Sequence, residues 1–177
     1  MTKFFLITFL LISFSFAGYS QIYVTKGGIA RFSTSAETFG IDSQFEGVGP
    51  GLNGTINLND STFRFTFELK KLKTGIKLRD THMHEDYLET DYYPLATYNG
   101  KIKSNGRSGA VIATGAFTIH GVTQTVTATG FISDTRLKAR WLIKLTDYGI
   151  EVPEKFIINK VKDTLSMSVD VEIKEKK

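Results

Sequence analysis

The chain has 177 residues, of which 41% are apolar, 12% aromatic and 23% charged, proportions that fit one globular domain and exclude collagenous, disordered and long multidomain classes. It contains no cysteine, which excludes a disulfide scaffold, thiolate zinc ligation, a cysteine nucleophile and a lipidated cysteine anchor. The net charge of +4 comes from 22 basic and 18 acidic residues spread along the chain, without the concentrated basic patch that a dedicated nucleic-acid binder carries.

The N-terminus reads as an export signal. Met1-Thr-Lys3 is a short basic start, Phe4 to Phe16 is an apolar run broken only by Thr8, Ser13 and Ser15, and Ala17-Gly18-Tyr19-Ser20 supplies small residues for cleavage. The run is shorter than the roughly 20 apolar residues of a membrane-spanning helix and lacks a basic stop-transfer flank. Residues 1–20 are therefore expected to be removed, leaving one domain over residues 21–177 in a periplasmic or secreted location.

The remainder is patterned as strands. Ile22 to Thr25 and Ile29 to Thr34 flank Gly27-Gly28 as two opening strands, and Leu52 to Leu58 runs into a turn at Asn59-Asp60. Phe63, Phe65, Phe67 and Leu69 alternate with Arg64, Thr66, Glu68 and Lys70, which gives one apolar and one wet face. The residues from Leu78 to Tyr93 lack this period. Met83, Tyr87 and Leu88 sit there at roughly helical spacing before Pro94, which predicts a short helix or two turns over 78–93. Ala96 to Lys103 then leads to the hairpin signal Asn105-Gly106. Val111, Ala113, Gly115, Phe117 and Ile119 form one face of the next strand, and His120-Gly121 marks a tight turn into Val122 to Ser133. Leu137, Ala139, Trp141, Ile143 and Leu145 alternate with mostly basic residues, and Leu165, Met167, Val169, Val171 and Ile173 alternate with polar ones. About eight strands joined mostly by turns predict an all-β antiparallel meander, closed as a barrel or packed as a sandwich.

Candidate chemistry is sparse. In an extended segment His82 and His84 would share a face, as a metal pair does; on a helix they lie about 200 degrees apart and cannot chelate together. Helix or turn is the favoured reading, so no metal site is expected, and His120 reads as a polar strand end. There is no Gly-x-Ser-x-Gly elbow, and the carboxylates Glu85, Asp86, Glu89 and Asp91 read as a solvated face. Gly49-Pro-Gly51-Leu-Asn-Gly54 matches the letters of a dinucleotide fingerprint, but a strand rather than a helix follows it, so it reads as a turn. No catalytic residue is assigned.

The apolar faces carry more information. Phe63, Phe65, Phe67, Val111, Phe117, Trp141, Ile143, Met167 and Val169 all pointing into an eight-stranded barrel would give an interior that either fills with side chains or holds one small ligand. Ala113, Gly115 and Ala139 share those faces and leave space, although small and large residues also interdigitate in an ordinary core. If the space is real, Gly115→Leu or Ala113→Phe should narrow it without disturbing the fold.

Three motifs extend this reading. Gly75-Ile-Lys-Leu-Arg79-Asp80-Thr-His82-Met-His-Glu85-Asp86-Tyr87-Leu88-Glu89-Thr90-Asp91-Tyr92-Tyr93-Pro94-Leu-Ala-Thr-Tyr98, Gly115-Ala-Phe117-Thr-Ile119-His120-Gly121-Val122-Thr123-Gln124 and Asp147-Tyr148-Gly149-Ile150 together resemble the signature of the YceI-like family, in order and spacing, from about Gln21 to Lys174. Met83-His84 and Gln124 depart from the family pattern. The resemblance implies an eight-stranded lipocalin-like barrel with one short helical segment, exported to the periplasm, holding a polyisoprenoid chain such as an isoprenoid quinone or isoprenyl phosphate. It implies a carrier rather than an enzyme, with no required cofactor, frequent dimerisation and transient membrane contact. Arg79, His82 and His84, in the non-strand segment, are the candidate head-group contacts, with Arg79 equally able to pair with Asp80 or Glu85. Two other readings stand beside this one: a ligand-free structural or stress-protective domain, and a metal-dependent hydrolase using His82, His84 and His120.

Overall fold

The computed structural model describes residues 22–38, 41–106, 108–151 and 159–176; the expected signal segment lies outside them. Among the described residues ten strands form a single antiparallel sheet: β1 (Ile22–Thr38), β2 (Ile41–Pro50), β3 (Asn53–Asn57), β4 (Thr62–Glu68), β5 (Leu95–Ser104), β6 (Ala110–Ile119), β7 (Val122–Ile132), β8 (Arg136–Lys144), β9 (Asn159–Val161) and β10 (Thr164–Glu175). Pairing runs β10-β8-β7-β6-β5-β4-β3-β1, and β10 pairs back onto β1 from Tyr23↔Glu175 to Ser33↔Ser166. The result is a closed barrel of eight staves. Closure satisfies the backbone groups that an open sheet would leave along its edges.

The two extra strands extend staves. β1 pairs with β3 through Ile22–Val24 and with β2 through Ile29–Thr38, so β2 and β3 form one stave broken at Gly51-Leu52. β9 pairs with Ala36–Thr38 of β1, beyond the end of β10 on the same edge. The two expected opening strands are a single strand of 17 residues, with a register shift between Thr25 and Gly27. A bulge keeps both halves in the ladder, and for that reason Gly27-Gly28 is not a turn.

β2 and β9 have no counterpart in the sequence reading. β2 is mostly exposed, and where it turns inward it carries Gly47 and Gly49 beside a single apolar side chain, Phe45. A Cβ on Gly47 would lie 2.1 Å from Phe32 Cε1, and one on Gly49 would lie 2.5 Å from Phe67 Cζ. Here the apolar period is supplied by rings from other strands, so the strand has no period of its own to read. The turns fare better. His120 and Gly121 both have positive φ, 52° and 72°, the type I′ arrangement that matches the twist of a two-residue hairpin.

The segment between β4 and β5 lies across one end of the barrel. It starts with a 3₁₀ turn (Leu69–Lys71), forms the bridge Val48↔Lys73, and continues as α1 (Lys77–His82) and a π-helical turn (Met83–Tyr87). The predicted apolar positions anchor it: Met83 and Leu88 are buried in the core and Tyr87 packs against it. The short helix or two turns expected over 78–93 is thus a short helix followed by a π-helical turn, which together end at Tyr87.

Candidate functional site

The barrel interior is not filled. A cavity of about 800 Å³ lies inside it and reaches the end covered by α1. Of the residues placed inside by alternation, Phe63, Phe65, Phe67, Val111, Ala113, Phe117, Trp141, Ile143, Met167 and Val169 line it. Gly115 does not. It stands directly opposite Gly100 in the β5–β6 pair, and a Cβ there would meet Asn99 O at 2.0 Å and Gly100 Cα at 2.6 Å. The space beside Gly115 is occupied by the neighbouring backbone, not by the cavity. Sequence reading also missed wall residues: Phe32, whose alternation within β1 could have revealed it, and Phe45, which sits on the unrecognised β2.

Inside, aromatic rings pack against one another, edge to face except for the tilted Tyr98–Trp141 pair. Tyr98 lies 4.7 Å from Phe63 and 5.3 Å from Trp141, and Phe117 lies 5.6 Å from Trp141 and 5.7 Å from Tyr148, centroid to centroid. Such pairs fix ring orientation as well as adding buried area. The Tyr98 hydroxyl donates to Ala113 O at 2.9 Å, with Val126 O at 3.1 Å. Burial pushes both Tyr98 and Tyr148 up to about 12, so these phenols stay neutral at any physiological pH, and Tyr98 brings no charge to the apolar lining.

At the open end a polar cluster is organised around Thr74. Arg79 Nη2 donates to Thr74 O at 2.8 Å, while the Asp80 carboxylate accepts from Thr74 N and Oγ1, both at 2.6 Å. The Arg79 guanidinium lies 4.6 Å over the Phe45 ring, lines the cavity and forms no ion pair among the described residues. Neither Asp80 nor Glu85 neutralises it. His82 also lines the opening, whereas His84 turns away and its Nε2 lies 3.0 Å from Leu72 O, tying α1 to the preceding turn. His84 is thus not among the residues at the mouth, because two positions on along a helical segment is about 200 degrees round, which points its ring to the other side.

Asp80 carries an acid-stability consequence. Burial acts to raise its pKa, but the Thr74 hydroxyl and amide hydrogen bonds, with Lys73 and His84 charge, outweigh this and hold the carboxyl below the usual carboxylate range. A depressed folded-state value contributes stability that is present above the unfolded pKa, near 4, and is lost as pH falls through the folded one. Urea melts between neutral pH and about pH 3 should show a stability loss on acidification that is smaller in Asp80→Asn.

His120 belongs to a different place. Its Nε2 is 2.7 Å from Glu89 Oε2, its Nδ1 is 3.2 Å from Tyr148 O, and its ring packs 4.7 Å from Tyr93. It pins the α1 segment to the β6–β7 hairpin from a left-handed position that few residues tolerate. The three histidines are therefore not brought together, and among the described residues no cluster of three or more His, Asp or Glu is placed to hold a metal. His120→Ala should lower stability by about 1–3 kcal/mol in thermal unfolding, and His120→Asn by less, because asparagine accepts positive φ.

A closed antiparallel barrel around an apolar cavity, open at one end beside an arginine, defines the lipocalin-like class of β-barrels. A family model described as YceI-like domain matches residues 23–173, and the chain belongs to the YceI-like family. The fold is similar to that of a polyisoprenoid binding domain from Saccharophagus degradans (TM-score 0.65, 18% identity, covering 89% of this chain and 99% of that one). It is also similar to Burkholderia cenocepacia BcnA (TM-score 0.60, 18% identity, 81% and 95%) and to a Campylobacter jejuni YCEI protein (TM-score 0.53, 19% identity, 66% and 73%). No curated protein sequence matches the chain.

Proposed function

We propose that this protein is an exported lipid carrier that holds the tail of a polyisoprenoid, an isoprenoid quinone or isoprenyl phosphate, inside the barrel with the head group at the open end. The observation that carries this reading is the apolar cavity of about 800 Å³. At roughly 30 Å³ for each buried heavy atom, the share of a water molecule in the liquid, it accommodates about five isoprene units. Each buried methylene contributes about 0.8 kcal/mol, so one unit contributes roughly 4 kcal/mol before ordering costs. Tight binding then needs no charged contact, and Arg79 and His82 serve to orient the head group. The polyisoprenoid-binding relative from Saccharophagus degradans supports the same ligand class.

The mature protein acts in the periplasm or outside the cell, meets membranes transiently to exchange cargo, and forms a homodimer. It binds rather than transforms: no cofactor is required and no residue is assigned a catalytic step. Native mass spectrometry of the mature protein from a lipid-containing host, followed by organic extraction, tests the proposal. A discrete bound mass that extracts as a polyisoprenoid is expected, and the same spectrum reports the dimer. A bare mass that persists after incubation with quinones and isoprenyl phosphates would replace the carrier with a ligand-free structural domain.

A further inference from the structure

The rim of the cavity carries apolar side chains that face water. Ile76 and Leu78 line the opening and are nevertheless 55% and 66% exposed. Ile41, 70% exposed, begins β2 at the β1–β2 hairpin and shares the strand face of Ser43 and Phe45, which line the cavity. Single exposed aliphatics are ordinary on a protein surface. Here three stand at one end of the barrel, on the two elements that border the opening. None of the six residues of α1 is buried, and its one apolar residue, Leu78, is exposed.

Two lysines stand beside them. Lys73 and Lys77 are exposed on the same segment and form no ion pair among the described residues. Asp86 and Glu151 also line the opening, so the rim is not uniformly basic and charge alone would hold it weakly. Apolar residues that enter the surface with lysines at the phosphate level are the combination that binds an anionic interface. A tail passing from the bilayer through such a rim would also cross no water, the costliest part of any transfer.

We propose that Ile41, Ile76 and Leu78, with Lys73 and Lys77, form a docking surface for an anionic bilayer, against which the cavity opens. The inference rests on the carrier reading, which places the source of the cargo in a membrane. The test is flotation of the mature protein with vesicles of phosphatidylethanolamine and phosphatidylglycerol, and with phosphatidylcholine vesicles for comparison. The protein should float with the anionic vesicles, and Ile76→Ser/Leu78→Ser should reduce partitioning at least about tenfold. Lys73→Gln/Lys77→Gln should weaken it a few-fold and flatten its salt dependence. Uptake of an isoprenoid quinone from detergent micelles separates the two ideas, since it needs the cavity and not the rim. Quinone uptake from detergent without flotation, or equal flotation of the serine variant, overturns the docking surface and leaves the carrier. Flotation that depends on the rim, with no quinone taken up from detergent, supports the docking surface and overturns the carrier. A dimer that the serine variant dissolves, with no flotation, assigns the rim to a second copy of the chain and overturns the membrane proposal.

Discussion

Gly115→Leu is expected to unfold the barrel, not to narrow its cavity. Gly115 and Gly100 face each other across the β5–β6 pair, and a Cβ on either would strike the other strand: Asn99 O at 2.0 Å from position 115, Thr114 O at 2.2 Å from position 100. Both obstacles are backbone, which cannot rotate away as a side chain can, so the strands must part. Parting them breaks ladder hydrogen bonds between two strands that are each held by a further neighbour, β4 on one side and β7 on the other, so neither can swing away. A cost above about 4 kcal/mol is expected, in the range of the most damaging single substitutions, against a typical domain stability of about 5–15 kcal/mol. Thermal unfolding followed by circular dichroism should show a midpoint depressed by tens of degrees or no cooperative transition. A folded variant with an unchanged midpoint and less bound lipid would mean that the leucine turns inward, contrary to this geometry.

Ala113→Phe, two residues along the same strand, is expected to do the opposite. Ala113 is buried and lines the cavity, so a phenyl ring grows into open volume. The bond that Tyr98 makes here is to the Ala113 carbonyl, which the substitution leaves in place. Overpacking costs about 1–3 kcal/mol where a core is full, and less where space is available. The ring takes volume comparable to one isoprene unit, whose burial is worth roughly 4 kcal/mol. At 1.4 kcal/mol per decade, polyisoprenoid affinity should fall by about 100-fold or more. The check is extractable lipid per mole of folded protein, with circular dichroism unchanged. Wild-type lipid content in folded A113F would count heavily against a tail inside the barrel.

The contrast between these neighbouring positions marks where sequence reading stops. Strand parity puts Ala113 and Gly115 on one face, and both do belong to the inward series. Parity is a property of one strand, however, whereas the room beside a residue depends on how closely the next strand approaches. The same limit explains the miss at β2, whose period is hidden because Phe32 and Phe67 occupy the places its own side chains would fill. It also explains Arg79, for which pairing with Asp80 or Glu85 was open in the sequence. Asp80 is engaged by Thr74 instead.

What the sequence determined by itself was everything local. The alternation of Phe63, Phe65 and Phe67, the helical spacing of Met83, Tyr87 and Leu88, and the His120-Gly121 turn each follow from period and backbone preference within a few residues. The family resemblance read from three motifs added the barrel. The tertiary structure alone decided that β10 closes onto β1, that the interior stays open, that His84 and His120 brace separate contacts, to Leu72 and to Glu89, and that Arg79 stands at the mouth without an ion pair among the described residues. These depend on contacts between residues distant in sequence, where packing and backbone approach select among arrangements that local pattern leaves equally allowed.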